Sequence, residues 1–204
     1  MDTPDPAGLV LDVRHATLAD QLPIRRMLEL YQHDLSDIWD QDLDVHGEYG
    51  YALERYWHEP VHQAFVFRCN GHPAGFALVD DDVCLRDNQL WMAQFFVLKK
   101  YRRRRVGQRA AMQVFDAIRG RWEVGQMAGN HRAHAFWRHV IDTYTQGRFT
   151  EQELHDKRWD GWLRGDVMNA SGLLAGPAAE LFHGAVAAIQ KPGARAAPLD
   201  LFSG

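Results

Sequence analysis

Apolar and polar residues alternate through LVLDVRH, with Leu9, Leu11 and Val13 on one side, the period-two pattern of a half-buried strand. Thr17 then opens TLAD, where Asp20 stands three residues on as in a capping box. The amphipathic run behind it, with Leu22, Met27, Leu28, Leu30 and Tyr31, predicts a helix. From Tyr31 to Pro60 the periodicity loosens among acids and aromatics, and helical turns and loop are expected. QAFVFRC and AGFALVD flank NGHP, whose Asn70-Gly71 pair supplies the positive φ angles of a tight hairpin between two antiparallel strands. LWMAQFFVL, residues 90–98, is almost wholly apolar and reads as a strand covered on both faces. After Gly107, the residues Ala110, Ala111, Val114, Phe115 and Ile118 recur at helical spacing until RGRWEV turns to a strand. Ala133, Phe136, Trp137, Val140, Ile141 and Tyr144 mark one face of a further helix, and GRFTEQELHDKRWDGWL can supply two final strands. From about Gly165 the chain turns rich in Ala, Gly and Pro, with one helix-like segment, Leu174 to Gln190, and a tail expected to be flexible.

Length and composition change this picture little: 204 residues, 46% apolar and 25% charged, suit one folded domain with an appendage. The amino-terminal stretch is acidic and lacks the apolar segment of a secretory signal, and no apolar run is long enough to span a bilayer. Cys69 and Cys84 stand apart, without the spacing of a disulfide framework or zinc ribbon. A cytoplasmic protein with no membrane association is expected. HEPVH, from His58 to His62, has the spacing of a zinc-protease helix, but Pro60 breaks the helix that would present both histidines. No metal is expected.

Charge is distributed unevenly. Lys99, Lys100, Arg102, Arg103, Arg104, Arg105 and Arg109 crowd around Gly107 in a chain of net charge −4. That acidic balance argues against a nucleic-acid partner. An apolar strand, a basic loop with glycine and an amphipathic helix instead form the arrangement in which unpaired helix N–H groups receive a phosphate.

FFVLKKYRRRRVGQRAA also resembles the cofactor-binding motif of the GNAT superfamily of N-acetyltransferases, in which Gln or Arg, two spacers, Gly, one spacer and Gly or Ala follow in order. Arg102 takes the first place, Arg103 and Arg104 the spacers, Val106 the next spacer and Gly107 the last glycine. Arg105 stands where the other glycine would be. NHRAHAFW is similar to the family's later segment, with Asn130, Ala133, Phe136 and Trp137 matching in order. The helix start at Thr17, the hairpin and the element order fit as well, over about residues 9–162.

The resemblance implies an α/β (α+β) fold with a mixed, mostly antiparallel twisted sheet of about six to seven strands and about four helices. Strands four and five would splay around acyl-coenzyme A. Residues 1–164 would form this domain and 165–204 the extension. The cosubstrate is expected to be acetyl-coenzyme A, its pantetheine arm along Phe96, Val97 and Leu98. Its pyrophosphate would rest on Arg102, Arg103, Arg104, Arg105, Val106, Gly107 and Gln108, with Asn130 and Phe136 alongside. The activity implied is N-acetyl transfer to a primary amine of a small molecule or protein by direct attack, in a monomer or homodimer.

Many relatives place a Glu on strand four as base and a Tyr on the helix after strand five as acid. Here those places hold Gln94 and Trp137, neither of which ionises. Gln94 is retained as a candidate contact to substrate. Through a water relay, Glu48, His46 or Asp44 is the candidate base, and Tyr144, Tyr101 or water the candidate acid. Phe136 and Trp137 read first as core, because aromatic pairs at helical spacing usually pack inward. These departures keep a non-catalytic acyl-coenzyme A sensor as an alternative, with a nucleic-acid module using Lys99 to Arg105 more remote. Asp34, Asp37, Asp40, Asp42, Asp44 and Glu48, mingled with Trp39, Tyr49, Tyr51, Tyr56 and Trp57, would lie near the mouth of the acetyl site and favour a cationic acceptor.

Overall fold

The computed structural model describes residues 8–85, 87–127, 129–155 and 164–170, the last of these and 154–155 as backbone. Seven strands form one sheet: β1 (Leu11–His15), β2 (Gln63–Cys69), β3 (His72–Asp80), β4 (Leu90–Val97), β5 (Trp122–Gly125), β6 (Thr150–His155) and β7 (Arg164–Ala170). Their order is β1-β2-β3-β4-β5-β7-β6, antiparallel throughout except between β4 and β5. Among the described residues four helices flank it: α1 (Gln21–Trp39), α2 (Arg55–His58), α3 (Val106–Ala117) and α4 (His131–Thr145). The mixed, mostly antiparallel sheet and its helices are those expected.

The period-two pattern of β3 sorts the layers. Ala77 and Val79 join α3 and α4 in one core, where Phe115 meets Trp122 and Trp137, while Phe76 and Leu78 join Ile24, Leu28 and Tyr56 of α1 and α2 in the other. Helices on both faces explain why β3 and β4 are almost unbroken runs of apolar residues. The hairpin turns at Asn70 and Gly71 with φ of 49° and 79°.

Three boundaries differ from expectation. Leu35 and Ile38 extend the apolar stripe of Ile24, Leu28 and Tyr31, so α1 continues to Trp39, where Asp40 ends it in a left-handed conformation. The last strand lies beyond KRWDGWL: β7 inserts between β5 and β6, its partner from Arg164 to Ala170, and carries the sheet across the expected division at residue 164. The helix-like segment and tail expected after it lie outside the described residues. Asp20 does more than cap: its carboxylate accepts from the Thr17 N–H and hydroxyl, both at 2.9 Å, from Arg14 at 2.8 and 3.0 Å and from Arg68 at 3.2 Å. Led by the Arg14 bonds, these contacts hold its carboxyl far below the ordinary range and tie α1 to the sheet's first two strands.

The site is opened by two features of β4. Its register to β3 passes from Val79↔Met92 to Leu78↔Gln94, leaving Ala93 without an opposite residue, a bulge that bends the strand. Its pairing to β5 consists of Leu90↔Trp122 and Trp91↔Glu123 and stops there. Beyond the bulge the β4 edge faces a gap.

Candidate active site

That gap is the waist of a cavity of about 1460 Å³ which runs from the first turn of α3 to the space between α1, α2 and the end of β3. Such a volume exceeds the roughly 300–1,000 Å³ of most small-ligand pockets and suits a long ligand.

At one end stands α3. No side chain caps its amino terminus, so its first-turn N–H groups and partial positive charge are available to an anion. Gly107 and Gln108 line the cavity here. A Cβ on Gly107 would lie 3.2 and 3.3 Å from the Phe136 ring and 3.7 Å from Val97, so a branched side chain would close the cradle. Arg103 and Arg105 adopt φ of 62° and 56°, the left-handed region that glycine occupies most easily. This accounts for the family's glycine at the place of Arg105. Both arginines line the cavity.

Arg102 is committed to structure. Its Nε donates to the Val97 carbonyl at 2.7 Å, its Nη2 to Asp34 at 2.6 Å, and its guanidinium lies 5.3 Å from the Phe96 ring centroid. Lys99 reaches the same carboxylate at 2.9 Å. Burial alone would raise the Asp34 pKa, but hydrogen bonds from Lys99 and Arg102 outweigh it and hold it below the ordinary value. The end of β4 is thereby latched to α1.

Of the residues expected to hold the cofactor, Phe96, Val97, Arg102, Arg103, Arg105, Gly107, Gln108, Asn130 and Phe136 come together on this cavity. Asn130 caps α4 by accepting from the Ala133 N–H at 3.1 Å, and Phe136 stacks on Phe95 at 5.9 Å. Leu98, Arg104 and Val106 are not among its walls. Leu98 donates its N–H to Ala74, Val106 is buried in the core and Arg104 is exposed.

The other end holds Gln94, Tyr31, Tyr51, Trp91, Asp80 and Asp82. Gln94 is brought there and is buried. Two further candidates are not. Glu48 sits on an exposed loop 3.6 Å from Arg25, and the Tyr144 hydroxyl donates to Asp116 at 2.6 Å outside the cavity. Trp137 touches the cavity wall but is core, edge-on to Phe95 and Phe136 at 5.0 Å. Of the acids, Asp34 and Asp37 reach the cavity; Asp40 and Asp42 border a separate shallow depression, and Asp44 is turned back onto the N–H groups of His46 and Glu48.

Sequence reasoning passed over Asp80, Arg55 and Trp91, while Tyr51, named with the aromatics of the acidic segment, does line the cavity. The signal for Asp80 was present: it continues the alternation of Phe76 and Leu78, placing a carboxylate on an apolar face. Among the described residues, no helix is long and apolar enough to cross a membrane, and no group of three His, Cys, Asp or Glu could hold a metal ion. α2 stops at His58 and Glu59 is extended, so the two histidines of HEPVH do not share a helix.

The fold recurs among solved structures. An acetyltransferase from Thermus thermophilus superposes with a TM-score of 0.55 at 16% identity, covering 79% of this chain and 96% of that one. A protein from Corynebacterium glutamicum described as histone acetyltransferase HPA2 and related acetyltransferase gives 0.54 at 16%, covering 82% and 98%. A GNAT-family acetyltransferase from Staphylococcus aureus gives 0.51 at 13%, covering 79% and 100%. Among curated proteins none matches the sequence significantly. The sequence itself matches the acetyltransferase (GNAT) family over residues 24–140, more than half of its length. With β4 and β5 parted as expected, the chain belongs to the GNAT family of acetyltransferases.

Proposed function

We propose that the protein transfers an acetyl group from acetyl-coenzyme A to a primary amine of a small molecule or protein. One observation carries this reading: the parting of β4 from β5 joins an exposed strand edge, a helix amino terminus and a polar pocket in one continuous cavity. Acetyl-coenzyme A, when bound, supplies the acyl donor as a thioester. The free backbone groups of β4 beyond the bulge would bind its extended arm as an added strand. The first turn of α3, with Arg103 and Arg105, would hold its pyrophosphate, and Gly107 leaves the room this needs. Phe95 and Phe136, stacked at 5.9 Å, give the waist between the two ends an apolar wall.

The acceptor would enter at the far end. Asp37, Asp80 and Asp82, among the faces of Tyr31, Tyr51 and Trp91, favour a cationic amine. Purified protein with acetyl-coenzyme A and a panel of polyamines, aminoglycosides, lysine-containing peptides, neutral amines and anionic amino acids tests the reading, with released thiol as the signal. Cationic amines are expected to be the best acceptors. Absence of acetyl-coenzyme A binding would refute the transferase reading, and glutamate-like amines as best acceptors would refute the acceptor assignment.

A further inference from the structure

Asp80 is 2% exposed and lines the acceptor end of the cavity. Its Oδ2 accepts the Tyr56 hydroxyl at 2.7 Å, and its Oδ1 accepts the Asp82 N–H at 3.1 Å. Tyr51 lies beside the Tyr56 hydroxyl on one side and the Gln94 side chain on the other. Tyr51 and Gln94 line the cavity as well. A file of polar side chains therefore leads from a buried carboxylate to the point where β4 leaves β5.

An anion serving only to anchor Tyr56 would be expected to carry a close counter-charge. That of Asp80 is long and shared: Arg55 lies 3.8 Å from its Oδ2 but 2.9 Å from Asp82 and 2.7 Å from the His62 ring. Other charged groups stand one step away, with His62 between Glu59 at 2.8 Å and Asp81 at 3.2 Å and its ring 5.7 Å from that of Tyr56. Tyr56 and Arg55 come from α2, Tyr51 from the segment before it, and Gln94 and Trp91 from β4.

We infer that Asp80 is the proton sink of the transfer, reached from the acceptor amine through the hydroxyls of Tyr51 and Tyr56. This rests on the transferase reading above. The amine enters as an ammonium. One N–H bond breaks as its proton passes to the Tyr51 oxygen, while Tyr51 passes its own proton to Tyr56 and Tyr56 its own to Asp80. One O–H bond forms on the carboxylate, and the amine keeps the electron pair with which it attacks the thioester carbonyl. The C–S bond breaks with its pair on sulfur, and the second proton lost by nitrogen completes the thiol. Asp80 then returns its proton to solvent along the same route.

Acidities along the run suit these roles. Burial, then the charge of Asp82, raises the Asp80 pKa to about 7, against the lowering by the Tyr56 bond and Arg55. Burial also raises Tyr51 and Tyr56, so both stay protonated and act as donors. A base poised near neutral pH is the efficient choice for removing such a proton.

The test uses the full chain, acetyl-coenzyme A and spermidine, with thiol release followed from pH 5.5 to 9. Wild-type kcat should rise through a limb near pH 7. Asp80→Asn should lower kcat by about a hundredfold or more and abolish the limb, with KM for acetyl-coenzyme A nearly unchanged. Tyr51→Phe and Tyr56→Phe remove one hydroxyl each from the relay and should lower kcat to a similar extent, which keeps the test decisive if the Asp80 variant misfolds. Wild-type kcat in either phenylalanine variant, or a persisting limb in Asp80→Asn, would overturn the inference. A wild-type protein that binds no acetyl-coenzyme A would overturn the transferase reading instead.

Discussion

Arg103 and Arg105 hold left-handed backbone conformations in a loop where relatives use glycine, with φ of 62° and 56°. A side chain in that region costs roughly 1–2 kcal/mol, because Cβ crowds the following carbonyl. Arg105→Gly removes this cost but frees the unfolded chain, an opposing effect of about 0.4–1 kcal/mol. A net gain of about 0.5–1 kcal/mol should follow, which for a chain of this size raises the melting temperature by roughly 1–4 °C. Arg103→Gly should act in the same sense. Arg104→Gly is the internal control: Arg104 is not among the positive-φ residues, so glycine there brings only the entropic loss and should lower the melting temperature. Thermal denaturation of the three variants in low-phosphate buffer measures the effect, and titration with coenzyme A separates backbone from side chain. If Arg105→Gly melts below wild type, or all three variants shift alike, the backbone does not govern this loop. If it melts higher yet binds coenzyme A more weakly, the Arg105 side chain is itself a phosphate ligand.

Saturating acetyl-coenzyme A at ~100 times its Kd should stabilise the protein by about 2.7 kcal/mol; Gly107→Val should erase that shift by driving a branched side chain toward Phe136, and an undiminished shift would displace the phosphate from this cradle. Gly75→Ala should destabilise by about 3 kcal/mol or more, read by denaturant melts, because its Cβ would overlap the Phe96 carbonyl oxygen across the β3–β4 ladder. Asp80 binds protons more tightly folded than unfolded, its pKa moving from 3.8 to about 7. Its contribution is therefore greatest below pH 4 and is lost as pH rises through 7. Relative to wild type, Asp80→Asn should gain stability over that window, by on the order of 4 kcal/mol, and a constant difference between pH 4 and 8 would refute the assignment. Added salt should raise KM for spermidine while leaving that of a neutral amine nearly unchanged.

Local physics was legible in the chain. Period-two alternation marked β1 and the hairpin strands, Asn70-Gly71 could make only a tight turn, and an unbroken apolar run declared β4 covered on both faces. The arginine loop could be read as a candidate anion site because a strand, a glycine and a helix start are contiguous in sequence. Contacts between distant segments were not written there. Ala93 is an ordinary strand residue until the β3 register leaves it unpaired, and that bulge parts β4 from β5 to make the cavity. Arg102 looks like a phosphate ligand until folding brings Asp34 to it from 68 positions away. Glu48 and Tyr144 had suitable chemistry, but the fold turned them toward Arg25 and Asp116. Asp80 reads as the end of a strand, and its character arises only when α2 covers it, Tyr56 bonds it and Asp82 shares its Arg55. Periodicity determines which face a residue takes; what waits on that face, and whether water is excluded there, is decided by elements that arrive from elsewhere in the chain.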